Sequence, residues 1–233
     1  MNSDGKIIEK TELRDRVGIF ADRAEAGEVL AGMLGGLASR QPLVMGIPAG
    51  GVPVAAPVAA RLGCPLDVAV VSKITLPWNT EAGYGAVAFD GTVQFNRELM
   101  ARLDLTQEQI DDGIETTREK VGHRVRIFRG KRPLPEVAGR AVIVIDDGLA
   151  SGYTLLTAVE ALRNLGADNL VVAVPTGHHH ALAMVAPLVE ALYCANIRSG
   201  WSFAVAEAYR LWTDVDEEEV RRLLQATNKP EQP

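Results

Sequence analysis

The sequence predicts an α/β fold: a doubly wound, mostly parallel sheet flanked by helices, with a β-hairpin as flap or hood. Three observations predict it. Short apolar runs rich in branched residues (Leu43–Ile47, Leu66–Ser72, Val142–Ile145, Leu170–Val174) read as strands buried on both faces, as parallel strands are. These runs alternate with stretches in which apolar residues recur at helical spacing. Two of the runs end in small-residue loops, at 48–51 and 146–152, that open directly into a helical pattern. In open α/β sheets, ligands bind at such carboxyl ends of strands.

Composition bounds the reading. A chain of 233 residues with 47% hydrophobic content can bury a real core, and it is read as a single domain, 1–233. The core covers about 20–195, the flap about 74–97 and a C-terminal helical segment about 201–226. A net charge of −6 without a long basic tract argues against nucleic acid as the partner. The opening MNSDGKIIEKTELRDR lacks the apolar core of a signal peptide, so a cytoplasmic location is expected. Residues 42–60 carry no charge, but Pro42, Pro48, Pro53 and Pro57 with Gly46, Gly50 and Gly51 would break a membrane span repeatedly. Cys64 and Cys194 are isolated among apolar neighbours and read as buried thiols.

Taken in order, residues 1–15 are polar and read as an edge or a loosely held end. From Asp22 to about Ser39, Ala26, Val29, Leu30, Met33, Leu34 and Leu37 trace a helix. The strand Leu43–Ile47 leads into Pro48-Ala49-Gly50-Gly51 and a helix through about Leu62, with a kink expected at Pro57. Two glycines let backbone amides approach an anion closely. Leu66–Ser72 is the next strand, ending at Lys73, either a solvated charge or a cation beside the glycine loop. Residues 74–97 form a polar, aromatic excursion, with a hairpin of Ala86–Phe89 and Thr92–Phe95 around Asp90-Gly91. Trp78, Glu81 and Tyr84 are candidates there to reach a ligand, or else pack the hairpin.

Thr106 opens a long polar helix to about Phe128, with Gln109 at capping-box spacing. Its charges, among them Glu115, Arg118, Glu119, Lys120, Arg124 and Arg126, read as a solvated face. After a loop at 129–139 comes AVIVIDDGLASGYT: a buried strand, the acidic pair Asp146 and Asp147, and a loop of Gly148, Leu149, Ala150, Ser151, Gly152 and Tyr153. A helix begins at Thr154. The loop's free N–H groups and the helix dipole suit a phosphate, and Ser151 and Thr154 add hydroxyl donors. The carboxylates can accept hydrogen bonds from two neighbouring hydroxyls. A ribose 5-phosphate offers that combination. Beyond Leu170–Val174 and Pro175-Thr176-Gly177, the run His178, His179 and His180 reads as a loop and helix start, because three consecutive histidines cannot share one helix face. Val189–Cys194 is a last strand, Trp201-Ser202-Phe203 precedes a helical segment to Trp212, and Asp214 caps a final acidic helix, 216–225.

VIVIDDGLASGYT resembles the signature of type I phosphoribosyltransferases, two acidic residues before a small, hydroxyl-rich loop. The resemblance spans most of 20–195 and is nearest to a little-characterised bacterial branch, whose end is similar to Phe203, Tyr209 and Asp216–Val220 here. It implies that Asp146 and Asp147 hold the ribose hydroxyls of phosphoribosyl pyrophosphate (PRPP), and that residues 148–154 hold its 5′-phosphate. Pro48, Ala49, Gly50 and Gly51 would take the pyrophosphate with Lys73, although family members carry an Arg at the place of Ala49. Trp201 or Phe203 would stack on the acceptor base, and the hairpin would be a mobile flap. Hypoxanthine–guanine members place an Asp where this chain has Ala150; adenine-using members do not.

The resemblance further implies transfer of the phosphoribosyl group to a nitrogen acceptor, expected to be a nucleobase, with release of pyrophosphate. Mg2+ would come with PRPP near Asp146 and Asp147 and no strong direct protein ligand. A homodimer is expected. The alternative is a regulatory protein of the same fold that binds PRPP without turnover, which the missing Arg at Ala49 favours. A dinucleotide-binding oxidoreductase fits less well, since Gly46 to Gly51 lacks the G-x-G-x-x-G spacing. No Walker loop, G-x-S-x-G elbow or H-E-x-x-H motif occurs.

Overall fold

The computed structural model describes residues 7–228, without the side chains of Thr80 and Glu81. Glu81, a flap candidate above, therefore lies outside the described side chains. The chain runs β1 (Ile7–Glu9), α1 (Arg23–Leu34), β2 (Leu43–Gly46), α2 (Gly51–Leu62) and β3 (Leu66–Val68). It continues through β4 (Val71–Leu76), β5 (Asn79–Ala88), β6 (Val93–Phe95), α3 (Arg97–Met100) and α4 (Gln107–Arg129). The last elements are β7 (Ala141–Ile145), α5 (Tyr153–Asn164), β8 (Asn169–His178), α6 (His179–Val185), β9 (Ala191–Arg198) and α7 (Glu217–Thr227).

Six strands form one sheet in the order β1-β9-β8-β7-β2-β3, and every neighbouring pair is parallel. From β7 the chain builds outward through β8 and β9, whereas from β2 it builds the other way to β3. The order reverses between β2 and β7, which register at Gly46 opposite Ile145. Loops leaving the carboxyl ends of such a pair diverge and open a crevice. Every residue of β2 and of β7 is buried, as their uninterrupted apolar runs require. One core lies under α1, α2, α4 and α7, and the other under α5 and α6.

Local signals set the helix ends. Asp22 accepts from the Glu25 N–H to start α1, and Thr106 and Gln109 form a full capping box on α4. Helix α2 is continuous through Pro57 and stops at Gly63, whose φ of 63° is left-handed. Among the described residues no helix is long and apolar enough to cross a membrane; residues 42–60 are strand, turn and helix. Cys64 and Cys194 are buried free thiols, and burial pushes Cys64 up to about 11.

Several expectations need correction. The predicted strand Leu66–Ser72 is two strands in different sheets. β3 ends at Val68, and β4 begins the antiparallel sheet β4-β5-β6, so Lys73 lies inside β4. An unbroken apolar run hides such a sheet change, because Ala69 and Val70 are buried too. The hairpin around Asp90-Gly91 is present, but β5 is longer and also pairs with β4. Residues 203–212 hold only a 3-10 turn, Val205–Ala208, after which Tyr209 bridges to Phe20. Asp216, not Asp214, caps α7 by accepting from the Glu219 N–H at 2.7 Å. Strand β8 runs on through Pro175 to His178, at a point where β7 has already left the sheet.

Candidate active site

A cleft of about 440 Å³ opens at the β2/β7 reversal. Its floor is the acidic pair, and two loops form its sides. Pro48, Ala49 and Gly50 line one side, with the Pro48–Ala49 peptide in the cis form, and Gly148 to Gly152 with Thr154 line the other. Strand β4 contributes Ser72, Lys73 and Thr75, α4 contributes Lys120 and Arg124, and the C-terminal segment contributes Val205 and Trp212.

The loops touch because of a glycine. A Cβ on Gly51 would stand 2.5 Å from the Ile145 carbonyl oxygen and 2.9 Å from Asp146 Cα, so any side chain there would force the loops apart. Ile47 N–H donates to that same Ile145 carbonyl at 2.8 Å. The second loop is pinned at its middle: Leu149 N–H donates to the Thr176 carbonyl, and His178 N–H to the Leu149 carbonyl, at 2.9 and 2.8 Å. Leu149 thus occupies the place beside β8 that β7 vacates. Gly152, at φ 87°, turns the chain into α5. The first bond of that helix runs from Leu156 N–H to the Gly152 carbonyl, which leaves the amides of Tyr153 to Leu155 outside the ladder. Free amides at a helix start, together with the helix dipole, suit an anion.

The carboxyls are partly buried and held differently. Among the described residues, Asp146 accepts only from its neighbour's N–H, through Oδ1 at 2.9 Å. Asp147 Oδ2 receives Arg23 Nε at 2.9 Å, and the Tyr209 hydroxyl donates to the Asp147 carbonyl at 2.6 Å. Burial, then the charge of Asp147, pushes the Asp146 carboxyl well above the usual carboxylate range, against the pull of Lys73 and Arg23. Burial also raises Asp147, opposed first by Arg23. Burial raises the Tyr209 phenol, which stays protonated as a donor.

The comparisons with known proteins bear on this arrangement. A family model described as "Phosphoribosyl transferase domain" matches residues 23–208. The chain belongs to the phosphoribosyltransferase family. A Mycobacterium tuberculosis protein with a provisional phosphoribosyl transferase name, found in strains CDC 1551 and H37Rv, is 34% identical over 211 residues. That match takes in 91% of this chain but 47% of the relative, so the chain spans about half the relative's length. The crystal structure of TT1426 from Thermus thermophilus is 31% identical, covers 89% of this chain and 98% of its own, and has a TM-score of 0.72. The mostly parallel sheet flanked by helices is the type I phosphoribosyltransferase fold.

Among the residues singled out by sequence in this phosphoribosyltransferase chain, Pro48, Ala49, Gly50, Lys73, Asp146 to Gly152 and Thr154 share the cleft. Gly51 lies beneath it, and Tyr153 opens α5 without lining it. Trp201 and Phe203 do not line it. Trp201 is fully exposed at 109%, while Phe203 packs with its ring 5.8 Å from that of His178. Tyr84 is fully buried against Phe95 and Trp78 is exposed; neither lines the cleft. The three histidine rings lie together, with centroids 3.9 to 5.3 Å apart, because His178 still belongs to the strand while the next two open α6. No group of three or more metal-ligating side chains occurs among the described residues.

Sequence reasoning missed Arg23, Lys120, Arg124 and Trp212. Arg23 is the first residue of α1, which reads as an ordinary exposed position. Lys120 and Arg124 are one turn apart on a charged helix. That spacing is the only signal that marks them.

Proposed function

We propose that this chain is a phosphoribosyltransferase that uses PRPP and transfers its phosphoribosyl group to a nitrogen nucleophile, releasing pyrophosphate. One observation carries the reading: a carboxylate pair, an anion-binding helix start and a second anion-approach loop meet in one cleft at the sheet reversal. The amides of Tyr153 to Leu155, with the Ser151 and Thr154 hydroxyls, would hold the 5′-phosphate. Asp146 and Asp147 would accept from the ribose hydroxyls. Pro48 to Gly51 would approach the pyrophosphate with backbone groups, and Lys73, Lys120 and Arg124 would surround it with positive charge.

The reaction breaks the bond from the anomeric carbon to the pyrophosphate oxygen and forms one to the acceptor nitrogen. Positive charge develops on the ribose, above the carboxylates, and negative charge grows on the leaving oxygen, beside the cations. Catalysis then rests on prearranged charge and on alignment, without a covalent intermediate. Mg2+ is part of this proposal. The cleft fits a cation that arrives on substrate oxygens, since Asp146 and Asp147 line it with carboxyl oxygens and Mg2+ commonly keeps several waters. When bound, it would supply charge neutralisation to the leaving pyrophosphate.

The acceptor is a planar, nucleobase-like ring in this reading. Trp212 lines the cleft with Arg23 stacked on its ring and Tyr209 packed against it, so in this reading the indole would meet the acceptor by its edge. The deciding assay follows pyrophosphate release from PRPP and Mg2+ over a panel of nucleobases, with the Asp146→Asn/Asp147→Asn double variant as control. We expect release with one base, lost at least 100-fold in the double variant, on the order of one buried charged contact per carboxylate. PRPP binding without release would turn the reading to the regulatory protein, and absence of PRPP binding would end it.

A further inference from the structure

Arg23 reaches the acidic pair from the far side of the cleft. It stands at the first position of α1, is 9% exposed and does not line the cleft. Its guanidinium is fixed on three sides. Nε donates to Asp147 Oδ2 at 2.9 Å, one terminal nitrogen donates to the Thr213 carbonyl at 2.8 Å, and Cζ lies 3.8 Å from the centroid of the Trp212 ring. Tyr209 packs on that indole with centroids 5.1 Å apart, and its hydroxyl holds the Asp147 carbonyl. The backbone of 208–211 is in turn tied to Phe20 and Ala21, immediately before α1. The ring stack, the start of α1 and the acidic loop therefore form one closed unit.

We propose that Arg23, clamped by Trp212, is a positioning residue that fixes the Asp147 carboxylate for the ribose and makes the two adjacent carboxylates unequal. This rests on the reading of Asp146 and Asp147 as the ribose-binding pair. Asp147 has one oxygen committed to a cation and one free, whereas Asp146 has no cation in contact among the described residues. Two adjacent partly buried carboxyls resist ionising together. A guanidinium held against one of them selects which stays charged as pH falls. A planar guanidinium suits the role, since it donates in two directions while stacking on an aromatic face. The groups facing Asp147 are Arg23 from α1, Asp146 from its own loop, Lys73 from β4 and Tyr209 from the C-terminal segment; Lys120 and Arg124 of α4 line the same cleft.

The test measures PRPP affinity with Mg2+ by calorimetry from pH 5.5 to 8.5 in the wild-type chain, Arg23→Lys, Arg23→Gln and Trp212→Leu. In parallel, 13C-labelled aspartate NMR follows the Asp147 carboxyl, assigned with Asp147→Asn. Removing a neighbouring Arg shifts a carboxylate by about 1–3 pH units. We expect the Arg23→Gln affinity profile and Asp147 midpoint to move up by that much, with Arg23→Lys between them and the wild type. Trp212→Leu should move both in the same direction by less, and serves if Arg23→Gln does not fold. An unchanged Asp147 midpoint in the folded variants, or a uniform loss of affinity at every pH, overturns the proposal. If the wild-type chain binds no PRPP, the functional reading falls, and the carboxyl titration alone then decides the role of Arg23.

Discussion

Asp146 and Asp147 place two carboxyls side by side where burial and mutual repulsion both resist ionisation. Their folded-state pKa values lie above the unfolded ones, so the native state binds more protons. Their contribution to stability is then fully present below the unfolded carboxylate range and is lost as pH rises through the folded value. Asp146→Asn removes that loss. We expect the variant to melt higher than wild type at pH 8, by roughly 2–4 °C for each kcal/mol gained, and to lose the advantage near pH 4. Thermal melts at the two pH values read it directly. A variant that lowers stability at pH 8 would contradict the burial account. Sites that hold charge for a ligand are commonly less stable than the fold would be without them.

At the scale of elements, α4 does two jobs. One face packs the antiparallel sheet β4-β5-β6 and the core, and Lys120 with Arg124 presents charge to the cleft. Lys120 makes no ion pair or hydrogen bond among the described residues, and Arg124 has a loose one to Glu217 at 3.6 Å. Replacing both with Gln should weaken inorganic pyrophosphate binding by about tenfold or more and flatten its salt dependence. Ribose 5-phosphate binding should change little; calorimetry with each ligand separates the two. The capping box of this helix is legible in Thr106 and Gln109, as is the strand end at Ile145, because those signals are local; β2 stops at Gly46, one residue before the expected Ile47. The cleft-facing role of Lys120 and Arg124 is not, since a helical charge pattern does not distinguish a face turned to solvent from one turned to a ligand. The sheet change after Val68 is hidden in the same way: periodicity records burial and not which sheet does the burying. The place of Trp212 in the cleft gives no local sign either, because it depends on the pairing of 207–211 with 18–21, a contact between distant parts of the chain.

Across the whole molecule, the edge strand β3 is where the helical layer is fastened. Arg129, at the end of α4, donates from Nε to Asp67 Oδ1 at 3.1 Å and from a terminal nitrogen to the Val68 carbonyl at 2.7 Å, with both side chains buried. Asn228, just past α7, pairs its side chain with the Leu66 backbone in both directions, at 3.1 and 2.7 Å. Removing one member of a buried ion pair leaves the other charge unanswered and costs about 3–5 kcal/mol. We expect that loss for Arg129→Met in chemical denaturation, with much of it recovered when Asp67→Asn is added. Because the same helix carries the cleft cations, Arg129→Met should also weaken pyrophosphate binding. A full loss of stability with unchanged pyrophosphate affinity would show that α4 is held at the cleft by the antiparallel sheet β4-β5-β6 instead.

The pinning of Leu149 beside β8 has a consequence for how an anion is received. A glycine-rich turn ordinarily surrenders conformational freedom when a ligand orders it, and that loss is subtracted from the affinity. Here the turn has already surrendered it during folding, through its two backbone bonds to Thr176 and His178. The cradle is in effect a short extra length of sheet. Its amides should behave accordingly: in hydrogen exchange on the unliganded protein, Leu149 and His178 should be protected like the interior of β7, and phosphate should add little to that protection. Fast exchange at Leu149 that slows only with ligand would mean that the site is assembled by its substrate.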